Sequence, residues 1–161
     1  MIAAMLAAVA LALPLAVAPM SSAQAREIPD AGLTFDEIVA WLQQKGATAT
    51  LTRDGNGNQN VAAEIDGVKF GVYALDCKDD RCGSIQFAAN FRRTPNITAA
   101  LLNDWNREKR WGRAYVDKSG NGLWVEFDVD LTPGGSYELL DDNCDTWKRM
   151  IGDFKTFFKL S

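Results

Sequence analysis

Two stretches of the chain carry apolar side chains at the spacing of an amphipathic helix. The first is TFDEIVAWLQQKG, residues 34–46. Thr34 and Glu37 have the S/T-x-x-E spacing of a capping box, and Gly46 is placed to end the helix. The second lies near the C-terminus, where six apolar residues follow one another at intervals of three or four and predict a long helix with one buried stripe. They are Leu140, Cys144, Trp147, Ile151, Phe154 and Phe158.

Between these helices the hydrophobic pattern shortens to a period of two, which is typical of strands. The strand-like segments are ATATLTRD, VAAEID, VKFGVYAL, GSIQFAANF, RWGRAYVD and LWVEFDVD. Gly, Asn and Asp residues separate them, and ITAALLNDWNREKR (97–110) interrupts them with a third helical pattern. The order α-β-β-β-β-α-β-β-α predicts an α+β fold in which helices pack on an antiparallel sheet.

The first 25 residues predict export. Residues 1–18 have no charged side chain, and Ala23 and Ala25 form an A-x-A cleavage site before Arg26. This pattern predicts a signal peptide at 1–25 that is cleaved after Ala25, and the alternative is an uncleaved membrane anchor. Residues 26–33 are then expected to be a linker and 34–161 a single domain in a periplasmic or secreted protein.

Composition excludes several classes of function. The chain has no histidine, so Ser-His-Asp and Cys-His nucleophiles and His-ligated metal sites are excluded. Its formal net charge of −4 gives no general reason to bind nucleic acid. We expect no cofactor, no metal and no membrane partner after signal cleavage.

The cysteines divide into a pair and a single residue. Cys77 and Cys82 flank KDDR between two strand-like segments, and an exported protein favours a disulfide across such a hairpin. A catalytic C-x-x-C has two intervening residues rather than four, so reducible thiols or a metal site are the lesser alternatives. Cys144 lies on the apolar stripe of the last helix and is predicted to be a buried free thiol, with intermolecular pairing as the lesser alternative.

Two groups of oxygen ligands resemble sites of known chemistry. Asp54-Gly-Asn-Gly-Asn58 imitates the start of a calcium loop, but Gln59 stands where the tight-turn glycine belongs. A hairpin turn explains the same residues. Asp128 and Asp130 share a strand face with Glu126, and this face is predicted to be solvated, with Glu126 pairing with a residue across the hairpin. The candidates for that pairing are Arg113 and Tyr115.

The tryptophans suggest a contact surface. Trp124 alternates with Leu123, Val125 and Phe127, so it faces away from the helices if those three are buried. We therefore predict an exposed aromatic surface that binds a partner. Its members are Trp111, Trp124 and Tyr115. The alternative is that a helix also covers this second face.

The chain also resembles a known family over about residues 30–160. ITAALLNDWNREKRWGRAYVDKSGNGLWVEFDVDLTPGG, with a following helix that contains Trp147 and FKTFF, resembles the YbjN-like family of bacterial sensory transduction regulators. The most specific part is Asn103–Trp105–Asn106, the strand Arg113–Asp117 and the turn Gly134–Gly135. DCKDDRCGSIQFAANF fits an exported, cysteine-bearing branch. The resemblance implies a fold similar to that of type III secretion chaperones and implies no catalytic residues.

These observations predict an exported, non-enzymatic interaction module that binds a protein or peptide in a regulatory or chaperone-like role. The alternatives are a periplasmic small-ligand binder and a hydrolase that uses Asp or Glu without histidine. A deep pocket with convergent carboxylates would favour the hydrolase, and a dry apolar cavity would favour the ligand binder. A homodimer is left open.

Overall fold

The computed structural model describes residues 25–160, so the predicted signal peptide lies outside the described residues except for Ala25. The chain forms three helices and six strands in this range, in the predicted order. They are α1 (Phe35–Gln44), β1 (Thr48–Arg53), β2 (Gln59–Ile65), β3 (Val68–Lys78), β4 (Arg81–Arg92), α2 (Ala99–Glu108), β5 (Arg113–Val116), β6 (Gly122–Asp130) and α3 (Tyr137–Phe158). The predicted α+β class is confirmed.

All six strands belong to one antiparallel sheet with the order β1-β2-β3-β4-β6-β5. The first four strands form a meander, and β6 then pairs with β4 so that β5 becomes the edge. Phe87 in β4 lies directly opposite Phe127 in β6. This register aligns the core-facing residues of both strands under the helices.

One face of the sheet carries all three helices. The predicted stripe of α3 is buried along its whole length, with every member at most 2% exposed. Trp147 stacks on Phe87 at 5.5 Å between ring centroids, and Trp105 of α2 meets Phe154 of α3 edge-on at 5.0 Å. Trp41 of α1 contacts the same Phe87 at 6.3 Å. A single aromatic core therefore joins every helix to the middle of the sheet.

The N-terminal segment 26–33, expected as a linker, lies against the domain instead. Ile28 is 4% exposed, and Leu33 is fully buried. Leu33 exchanges backbone hydrogen bonds with Cys82, and Glu27 forms a β-bridge with Ser136. The predicted capping box is present at α1, where Thr34 and Glu37 satisfy each other's backbone N–H groups.

The turn before β5 also differs from the expectation. The segment 110–117 reads as one strand by alternation, but the ladder begins only at Arg113. Gly112 has a φ of +68°, which breaks the extended backbone between Trp111 and the strand. Within residues 25–160, no helix combines the length and the apolar character needed to cross a bilayer.

Candidate functional site

The second face of the sheet has no helix on it within the described part of the chain. Its middle consists of small residues because Ala62, Gly71 and Ala88 lie side by side in register on β2, β3 and β4. They lie in a shallow depression of about 420 Å³. A Cβ on Gly71 would come 3.1 Å from Cε2 of Tyr73, so the glycine admits the tyrosine ring beside it. We call this surface the open face.

A charged cluster closes one end of the row of small residues. Glu126 on β6 lies opposite Ala88 on one side and opposite Arg113 on the other. Its Oε2 accepts hydrogen bonds from Nε and Nη2 of Arg113 at 2.8 and 2.6 Å, and its Oε1 accepts one from the Tyr115 hydroxyl at 2.6 Å. Glu126 is only 8% exposed, so each carboxylate oxygen is bound where water has little access.

This cluster raises the pKa of both donors. Burial, and then the hydrogen bond to Glu126, raises the pKa of Tyr115 to about 12. The same carboxylate raises the pKa of Arg113 because it stabilises the charged guanidinium. Burial raises the pKa of Tyr73 as well, with smaller effects from Asp54 and Glu126. The open face therefore presents neutral phenols and one ion pair, in which the carboxylate of Glu126 is buried and the guanidinium of Arg113 is exposed.

Two of the three predicted aromatic contact residues lie together. Tyr115 is directly opposite Trp124, and their rings are nearly parallel, with centroids 6.4 Å apart and an angle of 6°. Tyr115 is 37% exposed, and Trp124 is half-buried. The stacked pair shares Tyr115 with the Glu126 cluster and gives the open face an aromatic edge.

Trp111 lies elsewhere, contrary to the expected grouping. Its ring meets Phe127, a core-facing residue, at 6.0 Å, and the Arg110 guanidinium covers it at 4.3 Å. It therefore lies on the helix side of the sheet, beside a groove of about 470 Å³ between the α2–β5 turn and α3. The turn at Gly112 separates Trp111 from the strand alternation that orients Tyr115.

The predicted pairing of Glu126 across the hairpin is present with both candidate partners. The neighbouring acids are arranged differently. Asp128 accepts a hydrogen bond from Nε2 of Gln86 at 2.7 Å, and Asp130 is exposed at the end of the strand. The predicted solvated face is therefore correct for Asp128 and Asp130 and wrong for Glu126, which is buried beneath Arg113 and Tyr115.

The calcium-like segment forms the β1–β2 turn. The Asp54 carboxylate accepts hydrogen bonds from the backbone N–H groups of Asn56 and Asn58 at 2.8 and 2.9 Å. The Asn58 side-chain amide donates a third at 3.1 Å. These bonds lower the pKa of Asp54, with the Asn58 side chain contributing most. The Asp54 oxygens that resemble calcium ligands thus accept hydrogen bonds within the turn and stabilise it.

The cysteines have the predicted states in the structure. Cys77 and Cys82 are joined in a disulfide and are cross-strand partners within the β3–β4 ladder. The strands extend beyond them to a tight turn at Asp79 and Asp80, both with positive φ, as in a type I′ hairpin. Cys144 is a fully buried free thiol, and burial raises its pKa to about 11.

Sequence reasoning missed the row of small residues and Tyr73. The signal was available, since Ala62, Gly71 and Ala88 each alternate with buried apolar residues on their strands. Alignment of the three into one row depends on the registers of two strand pairs, which no single segment specifies.

The edge strand β5 is covered by α2. Nδ2 of Asn106 donates to the carbonyl of Ala114 at 3.0 Å, and Oδ1 of Asn106 accepts from its N–H at 2.8 Å. The side chain thus replaces a neighbouring strand at this position. The asparagine belongs to the Asn103–Asn106 stretch that carries the family resemblance.

Comparisons with known proteins agree with this architecture. The crystal structure of YbjN from E. coli, described as "a putative transcription regulator", matches with a TM-score of 0.56 and 19% sequence identity. The match covers 74% of this chain and 86% of YbjN, and at this identity it shows the fold alone. A search of the curated proteins finds no match. The family model YbjN, "Putative bacterial sensory transduction regulator", matches residues 34–160. The chain therefore belongs to the YbjN family.

Proposed function

We propose that the chain is an exported, non-enzymatic interaction module that binds a protein or peptide partner across the open face. The observation that carries this proposal is the one-sided arrangement of the helices. They bury one face of the sheet and leave the other with a stacked aromatic pair, a row of small residues and a charged cluster. A family described as regulatory fits a module that acts by binding.

The chemistry of the acids supports binding over hydrolysis. A catalytic acid or base needs an oxygen that can reach the proton it transfers. Both oxygens of Glu126 already accept hydrogen bonds from Arg113 and Tyr115, and Asp128 is bound by Gln86. The carboxylates of Glu126 and Asp128 are therefore occupied by hydrogen bonds to neighbouring strands of the sheet.

The shape of the open face supports a polypeptide partner over a small ligand. Small-molecule sites usually enclose most of their ligand in a concave, largely apolar cavity. The depression around Gly71 is shallow and is bordered by exposed polar side chains such as Thr50 and Lys69. A shallow surface with the exposed Tyr115 and the half-buried Trp124 beside charged groups resembles the composition of protein interfaces.

Export is supported by the leader pattern before Arg26 and by the disulfide. A disulfide that joins Cys77 to Cys82 persists in an oxidising compartment and is rare in the reducing cytosol. The expected mature protein begins at Arg26. Intact-mass analysis of the protein from its native host tests this, and a mass that retains residues 1–25 would contradict cleavage.

Site-specific photocrosslinking in the native host tests the binding face. A photoreactive amino acid at Lys69, exposed on the open face, is compared with one at Leu139, which is 53% exposed on α3. We expect a discrete adduct with another protein at Lys69 and none of the same mass at Leu139. Mass spectrometry of the adduct identifies the partner.

Trp124→Ala provides the second arm of this experiment. The substitution removes the indole that stacks on Tyr115 and should reduce the Lys69 adduct severalfold, because aromatic anchors carry much of an interface's binding energy. Leu139→Ala is the matched control and should leave the adduct unchanged. Adducts that form only at Leu139 would place the binding surface on the helices. A Lys69 adduct that is unchanged by Trp124→Ala would instead exclude the stacked aromatic pair from the binding surface.

A further inference from the structure

The backbone nitrogen of Arg26 lies between the two oxygens of one carboxylate. It is 3.1 Å from Oε1 and 3.0 Å from Oε2 of Glu138 in the first turn of α3. Within an uncleaved chain this nitrogen belongs to a peptide bond and has a single hydrogen, which both oxygens must share. A group with more than one N–H would satisfy each oxygen separately.

The contacts around Arg26 hold its nitrogen in this position. The Arg26 carbonyl accepts from the N–H of Tyr137 at 2.9 Å, and its guanidinium lies 3.9 Å from the centre of the Tyr137 ring. Two residues later, the N–H of Ile28 donates to the carbonyl of Gly135 at 2.9 Å. The buried Ile28 side chain anchors this short pairing to the core. The segment therefore runs along the residues that lead into α3 and ends at Glu138.

The predicted cleavage site coincides with this nitrogen. Hydrolysis of the Ala25–Arg26 peptide bond by a leader peptidase consumes one water molecule. Ala25 keeps the new carboxyl group, and the nitrogen of Arg26 becomes an α-amine. The ordinary pKa of an α-amine is about 7.7–8.0, so at neutral pH it is mostly an ammonium with three N–H donors. Such a group can donate a separate N–H to each oxygen of Glu138 and carries the opposite charge.

We propose that Glu138 is the acceptor for the α-ammonium that leader cleavage creates at Arg26, so that processing fastens the new N-terminus to α3. This inference rests on the export part of the proposed function. Glu138 also offsets the partial positive charge at the start of α3, which would otherwise oppose a second positive group there. Hydrogen bonding from Arg26 lowers the pKa of Glu138, so the carboxylate is ionised at neutral pH.

A double-mutant cycle tests the contact between the Arg26 α-ammonium and Glu138. Two forms of the chain that begins at Arg26 are compared, one with a free α-amine and one acetylated at that nitrogen, each with Glu138 and with Glu138→Gln. At neutral pH we expect acetylation to lower the melting temperature by about 2–4 °C with Glu138 and by less than about 1 °C with Glu138→Gln. Glu27→Gln, an exposed neighbouring acid, is the control and should leave the acetylation effect unchanged.

The pH dependence provides a readout that a purely structural role of Glu138 would not change. Glu138 is the charged group in contact with the nitrogen, and Arg26 and Glu27 carry the neighbouring charged side chains of the same segment. An ammonium bound to a carboxylate has a raised pKa in the folded state. While Glu138 is ionised, the stabilisation by the ammonium is therefore complete below the ordinary amine pKa of about 7.7–8.0 and is lost as the pH rises through the folded pKa.

NMR titration of the Arg26 amine should give a pKa that is higher with Glu138 than with Glu138→Gln. The proposal would be overturned if the Arg26 amine had the same pKa with Glu138 and with Glu138→Gln, or if acetylation had the same effect in both. This result is independent of export, because the test uses a chain that already begins at Arg26. The export proposal would be contradicted separately if the native protein retained residues 1–25.

Discussion

The Tyr115 hydroxyl provides the sharpest test of the charged cluster on the open face. It donates a 2.6 Å hydrogen bond to Glu126, and burial together with this carboxylate raises its pKa from 10.0 to about 12. Glu126→Gln keeps the size of the side chain and removes its charge. We expect Tyr115 to titrate at a lower pH in this variant but still above 10.0, because burial, the larger cause, remains.

The raised pKa of Tyr115, caused by burial and then by Glu126, has a consequence for stability. The neutral phenol is favoured in the folded state, so its contribution is complete below pH 10 and is lost as the pH rises through the folded pKa of about 12. A rise of this size corresponds to about 2.7 kcal/mol at about 1.36 kcal/mol for each unit of pKa. Since Tyr115 is 37% exposed, solvent screening reduces the expected loss to about 1 kcal/mol.

Ultraviolet absorbance of tyrosinate measures the titration, with circular dichroism on the same samples to verify the fold. The chain has three tyrosines, and the pKa of Tyr73 is raised as well, so the transition of Tyr115 is assigned by its loss in a variant. Tyr115→Phe is the control and should remove it. If the curves of Glu126→Gln and the wild type coincide, the carboxylate does not hold the phenol, and the cluster described above is wrong.

Three further predictions concern the core, the thiols and metals. Trp147→Ala should lower the free energy of unfolding in urea by about 3–5 kcal/mol because Trp147 is 1% exposed and stacks in the core. Trp124→Ala should lower it by about 1 kcal/mol, because this ring lies on the open face. Equal losses would mean that the open face is covered. Thiol labelling should detect no reactive group in the native protein and one, Cys144, after denaturation without reductant, because its raised pKa and burial suppress the thiolate. Any labelling of Cys77 or Cys82 under those conditions would contradict the disulfide. A calcium chelator should leave the melting temperature unchanged, and a fall of several degrees would identify a bound ion that stabilises the native state.

The local elements could be predicted because their information lies in short segments. The stripe from Leu140 to Phe158 predicted α3, and Thr34 with Glu37 predicted the start of α1. Alternation in β6 was sufficient to place Leu123 and Trp124 on opposite faces. A tight hairpin also limits its own register, so the pairing of β6 with β5 across Glu126 followed from the sequence.

Features that depend on several segments could not be predicted in this way. Strand alternation continued through Gly112 places Trp111 on the same face as Trp124. The left-handed backbone of Gly112 breaks this alternation, and Trp111 contacts Phe127 instead. The 26–33 segment reads as a polar linker, and the burial of Leu33 depends on Cys82, almost fifty residues away.

The sequence by itself determined the class of fold, the helix stripes, the face to which each strand residue belongs and the pairing of the two cysteines as a hypothesis. Only the tertiary structure decided that β6 inserts between β4 and β5, that Ala62, Gly71 and Ala88 form one row, and that Arg26 meets Glu138. The physical reason is that periodicity is a property of consecutive residues, whereas strand order and distant contacts depend on how all the apolar faces are buried together.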